Sequence, residues 1–262
     1  MATSLMSGLI ASGYDPRQIW VSDTNQATLQ SHADHLRVNI SAGNAALIEE
    51  VDVAVLAVKP QVLREISLQI APALRQKPVL VVSIAAGITQ TSLAQWLGSG
   101  VAIVRCMPNT PALVQTGATV LHANAGVNDE QKDLAENILR SVGLTLWVDD
   151  EAQLDAVTAV SGSGPAYYFL LMEAMEKAAL ELGLDEGAAR LLILQTALGA
   201  AKIALESSES PAQLRERVTS PGGTTQKAIE TFQQNGFAAL VSQALHAARD
   251  RSIEMSKQLG AD

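Results

Sequence analysis

The chain has 262 residues, with 18 basic against 27 acidic side chains and a net charge of −9. That balance argues against nucleic acid or an anionic membrane surface as a partner, so a phosphate-bearing ligand would need donors placed locally. Hydrophobic residues make up 48% and charged residues 17%, the latter below the globular average of about 25%, which leaves apolar surface for a large core and an interface besides. The single cysteine, Cys106, excludes an internal disulfide and suits a reducing cytoplasm.

In chain order, Ala2, Leu5, Met6, Leu9 and Ile10 recur at helical spacing, which predicts a helix over Met1–Ser12 stopped by Gly13. No basic residue precedes Arg17, so the positive flank of a secretory signal is not expected. A strand is predicted over Ile19–Asp23 and a helix over Ala27–His35, then a buried strand over Val51–Val58 and a helix over Gln61–Ala71. Further strands are predicted at Val79–Ala86, Ala102–Cys106, Thr119–Ala123 and Leu144–Val148, with helices at Thr91–Leu97 and Asp129–Ser141. Short Val/Ile/Leu runs between helices are what a parallel sheet covered on both faces requires, so residues 1–150 read as a doubly wound, Rossmann-like α/β domain. In such a domain the first helix follows a central strand and a Gly-rich turn, and an acidic residue ends the next strand ~20 positions on. Asp23 takes that acidic place, so the first strand and its glycines are expected before Met1, outside the chain.

After Asp150 the strand signal ends, and residues 151–262 read as an all-helical domain. Helices are expected at Pro165–Gly183, from a cap at Asp185 to Glu206, and at Pro211–Arg217, Thr225–Asn235 and Phe237–Leu259. Leu191 to Ala201 is an uncharged run between Arg190 and Lys202, eleven residues long and well short of the ~20 that span a bilayer. A helix without a polar face asks to be buried all round, which points to helices interlocking with a second copy.

Ligands of doubly wound folds bind at the carboxyl ends of the strands, and three turn-rich segments lie there: Ala57-Val58-Lys59-Pro60, Ser83 to Gly87, and Arg105 to Pro111. Lys59 reads either as a solvated strand-end cation or as a contact for a cofactor or substrate. Cys106, flanked by apolar residues, reads as a buried small hydrophobe rather than a nucleophile. In the helical half, Ser161-Gly-Ser-Gly-Pro165 and Ser220-Pro-Gly-Gly-Thr-Thr225 each precede a helix. They read either as elaborate caps or as converging N–H groups that hold a carboxylate or phosphate. His122 and His246 stand alone, and no histidine, cysteine or carboxylate cluster has metal-ligand spacing.

Five motifs in this order, Ala-Val-Lys-Pro, Ser-Ile-Ala-Ala-Gly, Arg-Cys-Met-Pro-Asn-Thr-Pro, Ala-Val-Ser-Gly-Ser-Gly-Pro-Ala-Tyr (159 to 167) and Ser-Pro-Gly-Gly-Thr-Thr, closely resemble the pyrroline-5-carboxylate reductases across essentially the whole chain. The resemblance implies reduction of 1-pyrroline-5-carboxylate to L-proline, the last step of proline biosynthesis, by a cytoplasmic homodimer or a larger assembly of dimers. It implies that Ser220, Gly222, Gly223, Thr224 and Thr225 hold the substrate, with the Thr225 hydroxyl near the ring nitrogen protonated on reduction. Asp23, Asn44, Ala57, Val58, Lys59, Pro60, Ile84, Ala85 and Ala86 become the cofactor contacts. NADPH is the nominal cofactor; a carboxylate at Asp23 accepts from a ribose 2′-hydroxyl and repels a 2′-phosphate, so NADH is expected to be usable too. Two rivals stand beside this reading. One is a hydroxyacid dehydrogenase or imine reductase of similar build, which would want a lysine soon after the Gly-rich turn, whereas the helix after Ser161-Gly-Ser-Gly has none until Lys177. The other is a non-catalytic interaction protein.

Overall fold

The computed structural model describes residues 1–260. Their contacts divide them into two compact units: Met1–Ser163 with the C-terminal stretch from Ala247, and Gly164–His246.

The first unit opens with α1 (Ala2–Ala11), after which Gly13 turns the chain at φ +94°. Then come β1 (Trp20–Val21), α2 (Gln26–Leu36), β2 (Asn39–Ile40), α3 (Asn44–Glu50), β3 (Val53–Leu56), α4 (Pro60–Leu74), β4 (Leu80–Ser83) and α5 (Gln90–Leu97). After these follow β5 (Ile103–Met107), a 3-10 turn at Thr110–Val114, β6 (Gly117–Ala123), α6 (Asp129–Arg140) and β7 (Gly143–Trp147). Capping residues fix several of the starts. Asn25 Oδ1 accepts from the N–H groups of Ala27 and Thr28, and Asn128 and Gln131 form a reciprocal capping box on α6.

β2 and α3 had no strong periodic signal, being a two-residue strand and a helix of seven residues. The strands form a two-stranded parallel sheet, β1-β2, and a separate five-stranded sheet in the order β3-β4-β5-β6-β7. The expectation of one wholly parallel sheet is corrected at β6, which runs antiparallel to β5 and parallel to β7. The cause is connection length. Residues 108–116 hold only the short 3-10 turn, and a parallel crossover needs about a dozen residues or more, usually with a helix.

Alternation along the central strands divides the core between the sheet's two faces. Leu56, Val81 and Ile103 pack with Leu63 and Ile70 of α4 and Leu93 and Leu97 of α5. Leu80, Val82, Val104, Cys106 and Leu121 pack with Leu5 of α1 and Ala135 and Leu139 of α6. At ~1.5–3 kcal/mol for each fully buried large aliphatic side chain, these two layers supply most of the unit's cohesion. α7 (Gln153–Val157) and a π-helical turn, Thr158–Gly162, complete the first unit before the chain leaves it at Ser163. The Ser161–Pro165 segment is thus helical backbone rather than an open glycine loop.

The second unit holds α8 (Gly164–Glu181), α9 (Glu186–Glu206), α10 (Pro211–Arg217) and α11 (Thr224–Gln234). α8 and α9 pack against each other, and Asp185 Oδ1 caps α9 by accepting from the Ala188 N–H. By length and composition alone α9 could cross a membrane, but Arg190 and Lys202 bracket its uncharged run. α12 (Phe237–Leu259) begins in this unit and ends in the first. There Ser252 Oγ donates to Asp155 Oδ1 at 2.6 Å, and Leu259 joins the core beside α4 and α5.

Candidate active site

Because β3, β4 and β5 run parallel, their carboxyl ends share one edge of the sheet. Ala57–Pro60 follows β3 there: Ala57 and Val58 are half-buried, Lys59 is exposed, and Pro60 opens α4 with its ring at the first helical position. Ile84, Ala85 and Ala86 follow β4, and Gly87 turns the chain at φ +73° with Met255 of α12 3.4 Å from where a Cβ would stand. These small side chains leave backbone close to the edge. Asp23 follows β1, where its Oδ1 accepts from the Asn25 N–H at 2.8 Å, and Asn44 opens α3 with its amide donating to Gln69 Oε1 at 3.0 Å. Small turns at the shared carboxyl edge of β3 and β4, and a carboxylate at the end of β1 in the separate two-stranded sheet, are residue types that suit the phosphates and ribose of a dinucleotide.

In the second unit, Ser220–Thr225 forms a turn into α11. Gly222 has φ +71°, and the Gly223 N–H donates to the Ser220 carbonyl at 3.1 Å. A Cβ on Gly223 would stand 2.7 Å from Ser220 Oγ, so the hydroxyl lies directly over the turn. α11 begins with no side-chain capping bond. Its first N–H groups and the hydroxyls of Ser220, Thr224 and Thr225 together suit a carboxylate. The proposed cofactor residues are therefore carried by one unit and the proposed substrate residues by the other.

A buried polar network was not legible in the sequence. Arg105, only 5% exposed, pairs through Nη1 with Glu151 Oε1 at 2.8 Å, and that oxygen also accepts from the Gln90 N–H at 2.7 Å. Gln90 Nε2 donates to the carbonyls of Ile103 and His122, and its Oε1 meets His122 Nδ1 at 3.0 Å. His122, expected to stand alone, is thus a member of this network. The partners lie 13 to 61 residues apart in sequence, and only the lone buried arginine type on a strand hints at them. Removing one partner of such a pair costs roughly 3–5 kcal/mol. Cys106 is buried as expected; burial pushes its thiol far up from its ordinary value, and Sγ donates to the Ser83 carbonyl at 3.4 Å. Among the described residues no group of three or more histidine, cysteine or carboxylate side chains could hold a metal.

A Rossmann-like unit with its ligand edge in place, joined to a helical unit with uncovered apolar faces, defines the chain as a nicotinamide-dependent oxidoreductase. Residues 1–87 match the family described as NADP oxidoreductase coenzyme F420-dependent, and residues 151–255 match pyrroline-5-carboxylate reductase dimerisation. The chain is 53% identical over 260 residues to the pyrroline-5-carboxylate reductase of Pseudomonas aeruginosa, covering 99% of this chain and 95% of that one. The pyrroline-5-carboxylate reductase structure from Coxiella burnetii superposes with a TM-score of 0.93 at 45% identity, covering 98% and 95% of the two chains. That of Plasmodium falciparum pyrroline carboxylate reductase, solved with NADP bound, gives 0.84 at 29% identity, covering 97% and 94%. The chain belongs to the pyrroline-5-carboxylate reductase family, and its helical domain is a dimerisation domain.

Proposed function

We propose that the chain reduces 1-pyrroline-5-carboxylate to L-proline with a reduced nicotinamide, closing proline biosynthesis in the cytoplasm. Similarity along the whole chain to reductases of that name carries the reading, and the turn at Ser220–Thr225 agrees with it. Domains divide at 150/151 in this reading, with the cofactor on residues 1–150 and the substrate and dimer contacts on residues 151–262. The cofactor, when bound, supplies the hydride that adds to the imine carbon. Asp23, Asn44, Ala57–Pro60 and Ile84–Ala86 hold it; NADPH is the nominal form and NADH is also accepted.

The protein's own task is placement and charge complementarity. Ser220, Gly222, Gly223 and Thr224 fix the substrate carboxylate at the start of α11. The Thr225 hydroxyl lies at the ring nitrogen, which must end the reaction with one more proton. A threonine hydroxyl is too weak an acid to be the ultimate source, so it orients a proton that arrives with the protonated imine or through water. Thr225→Ala should lower kcat/KM for the cyclic imine by roughly 10²-fold and leave the NADPH dissociation constant within twofold by calorimetric titration; unchanged turnover removes Thr225 from the mechanism. The same titration of the parent chain, if it shows no cofactor binding, selects the non-catalytic alternative. The hydroxyacid-dehydrogenase alternative is disfavoured at Lys177, which pairs with Glu173 Oε1 at 2.6 Å on an exposed helical face. Dimers that associate further are compatible with the apolar surface of α8 and α9.

A further inference from the structure

Six residues, 84–89, carry the chain from the end of β4 to the start of α5. The Ile84 N–H still donates to the Leu56 carbonyl at 3.3 Å, so the turn leaves from a fixed strand. Its far end is fixed by a residue 61 positions further along the chain. Glu151 Oε1 accepts from the Gln90 N–H, the first of α5, at 2.7 Å and from Arg105 Nη1 at 2.8 Å. The first N–H groups of a helix have no partner within it, and a carboxylate suits them. Arg105 is buried on β5, the strand beside β4, so one oxygen ties the start of α5 back to the sheet from which the turn departs. Behind the turn stands the end of α12. Gly87 bends at φ +73°, and a Cβ there would stand 3.4 Å from Met255 Cβ and 3.5 Å from Leu259 Cδ1. The bond from Ser252 to Asp155 holds this end of α12 to α7. All these supports lie in the first unit, yet none lies in residues 1–87, the stretch that matches the NADP oxidoreductase family. Glu151 and Met255 fall instead in the stretch that matches the dimerisation family.

We infer that Glu151 and Leu259 are positioning residues for the nicotinamide cofactor: from opposite ends of the later sequence they hold the turn after β4 in its binding shape. Ala85 and Ala86 leave backbone at the ligand edge, and a backbone N–H binds a ligand oxygen only while it points the right way, because hydrogen bonds weaken steeply when bent. Released at Gln90 or left without its backing, a six-residue turn containing a glycine samples other shapes. Affinity then falls by the fraction of time for which the competent shape is held. The cofactor-binding body therefore extends past residue 150 to the segment at Glu151 and the end of α12. The inference rests on the proposed reading that Ile84–Ala86 contact the cofactor.

The test uses the full chain and measures the NADPH dissociation constant by calorimetry, hydrogen exchange at the Gln90 amide, and KM for NADPH and for the cyclic imine. Glu151→Ala and Glu151→Gln both remove the charge beside Arg105, but only the glutamine keeps an oxygen for the Gln90 N–H. Glu151→Ala should weaken NADPH binding at least threefold, raise KM for NADPH in step while KM for the imine stays within twofold, and speed exchange at Gln90 at least tenfold. Glu151→Gln should bind at least threefold more tightly than Glu151→Ala; a smaller gap assigns the effect to the charge pair and overturns the anchor. Leu259→Ala, which removes the side chain behind Gly87, should also weaken NADPH binding at least threefold. A smaller loss in either folded alanine variant overturns the inference. If Glu151→Ala fails to fold, Leu259→Ala decides alone, and unfolding of both makes these residues ones of stability and overturns it too. Leu139→Ala, in the apolar layer on the other face of the sheet, controls for stability: it should lower the thermal midpoint yet bind NADPH within twofold, and a loss matching that of Glu151→Ala would sink the inference. Ala86→Asp separates the two readings, since a carboxylate in the turn repels the cofactor's phosphates. Impaired binding there with unimpaired Glu151→Ala sinks this inference alone, whereas unchanged binding in Ala86→Asp removes the turn from the cofactor site and sinks both.

Discussion

Asp23 serves the fold, and in the proposed reading it serves a ligand as well. Its Oδ1 accepts from the Asn25 N–H, the local turn that readies Asn25 to cap α2, while the carboxylate stays exposed at the end of β1. A ribose 2′-hydroxyl can donate to such a group, and a 2′-phosphate is repelled by it. Asp23→Ser should therefore raise the ratio of NADPH to NADH catalytic efficiency by about tenfold, since roughly 1.4 kcal/mol of repulsion corresponds to that factor; an unchanged ratio in steady-state assays removes Asp23 from the cofactor site. A side chain whose role lies in its neighbours along the chain, such as Asp185 at the start of α9, was readable from the sequence. Arg105 and Asn109 were visible only as residue types, because their partners Glu151 and Ser161 lie 46 and 52 residues away, and no spacing rule reaches that far.

Among elements, those with long periodic runs were legible to within a few residues: α6, expected over Asp129–Ser141, spans Asp129–Arg140, and α12 spans Phe237–Leu259 as expected. Strand direction was not legible, since β6 has the same apolar pattern whichever way it runs; what turns it is the short connection from β5. The β6-β7 ladder also contains a position where no side chain fits. Gly143 pairs with Gly117 across it and has φ +150°; a Cβ there would stand 2.0 Å from the Gly117 carbonyl oxygen. That contact is backbone on both sides, so neither can swing away. Gly143→Ala should cost roughly 3 kcal/mol, by the combined burden of backbone strain and steric overlap, measured as a fall in the denaturation midpoint with an unchanged slope. An alanine variant as stable as the parent would mean that the two strands separate here at little expense. The π-helical turn at Thr158–Gly162 carried no propensity signal of its own; what the structure shows there is Gly162 lying close against Met107.

For the molecule as a whole, apolar surface decides the state of assembly. Leu191, Leu198 and Ile203 of α9 are 69%, 63% and 60% exposed in the single chain, far more than a monomer in water tolerates as a contiguous patch. The dimerisation family that covers residues 151–255 supplies the cover, and a two-fold arrangement uses each such residue twice. Leu194, near the middle of α9, is 44% exposed. Leu194→Glu would bring a charge into the covered surface, at a cost of several times the ~1.4 kcal/mol that changes an equilibrium tenfold. It should yield monomers whose second unit has lost helical signal, seen by sedimentation and circular dichroism; a folded, active monomer would show that the dimer is dispensable. A different demand follows from α12, which starts in one unit and finishes in the other. Leu259 lies in the same apolar layer as Leu63 and Leu93, and Met255 stands beside Gly87 in the turn after β4. While the chain is being made, the α/β half therefore cannot close its core when its last strand emerges. It must wait, with part of that layer open, for more than a hundred further residues of helix, and the interval between emergence and completion is a window in which chaperones or premature association act on the nascent enzyme.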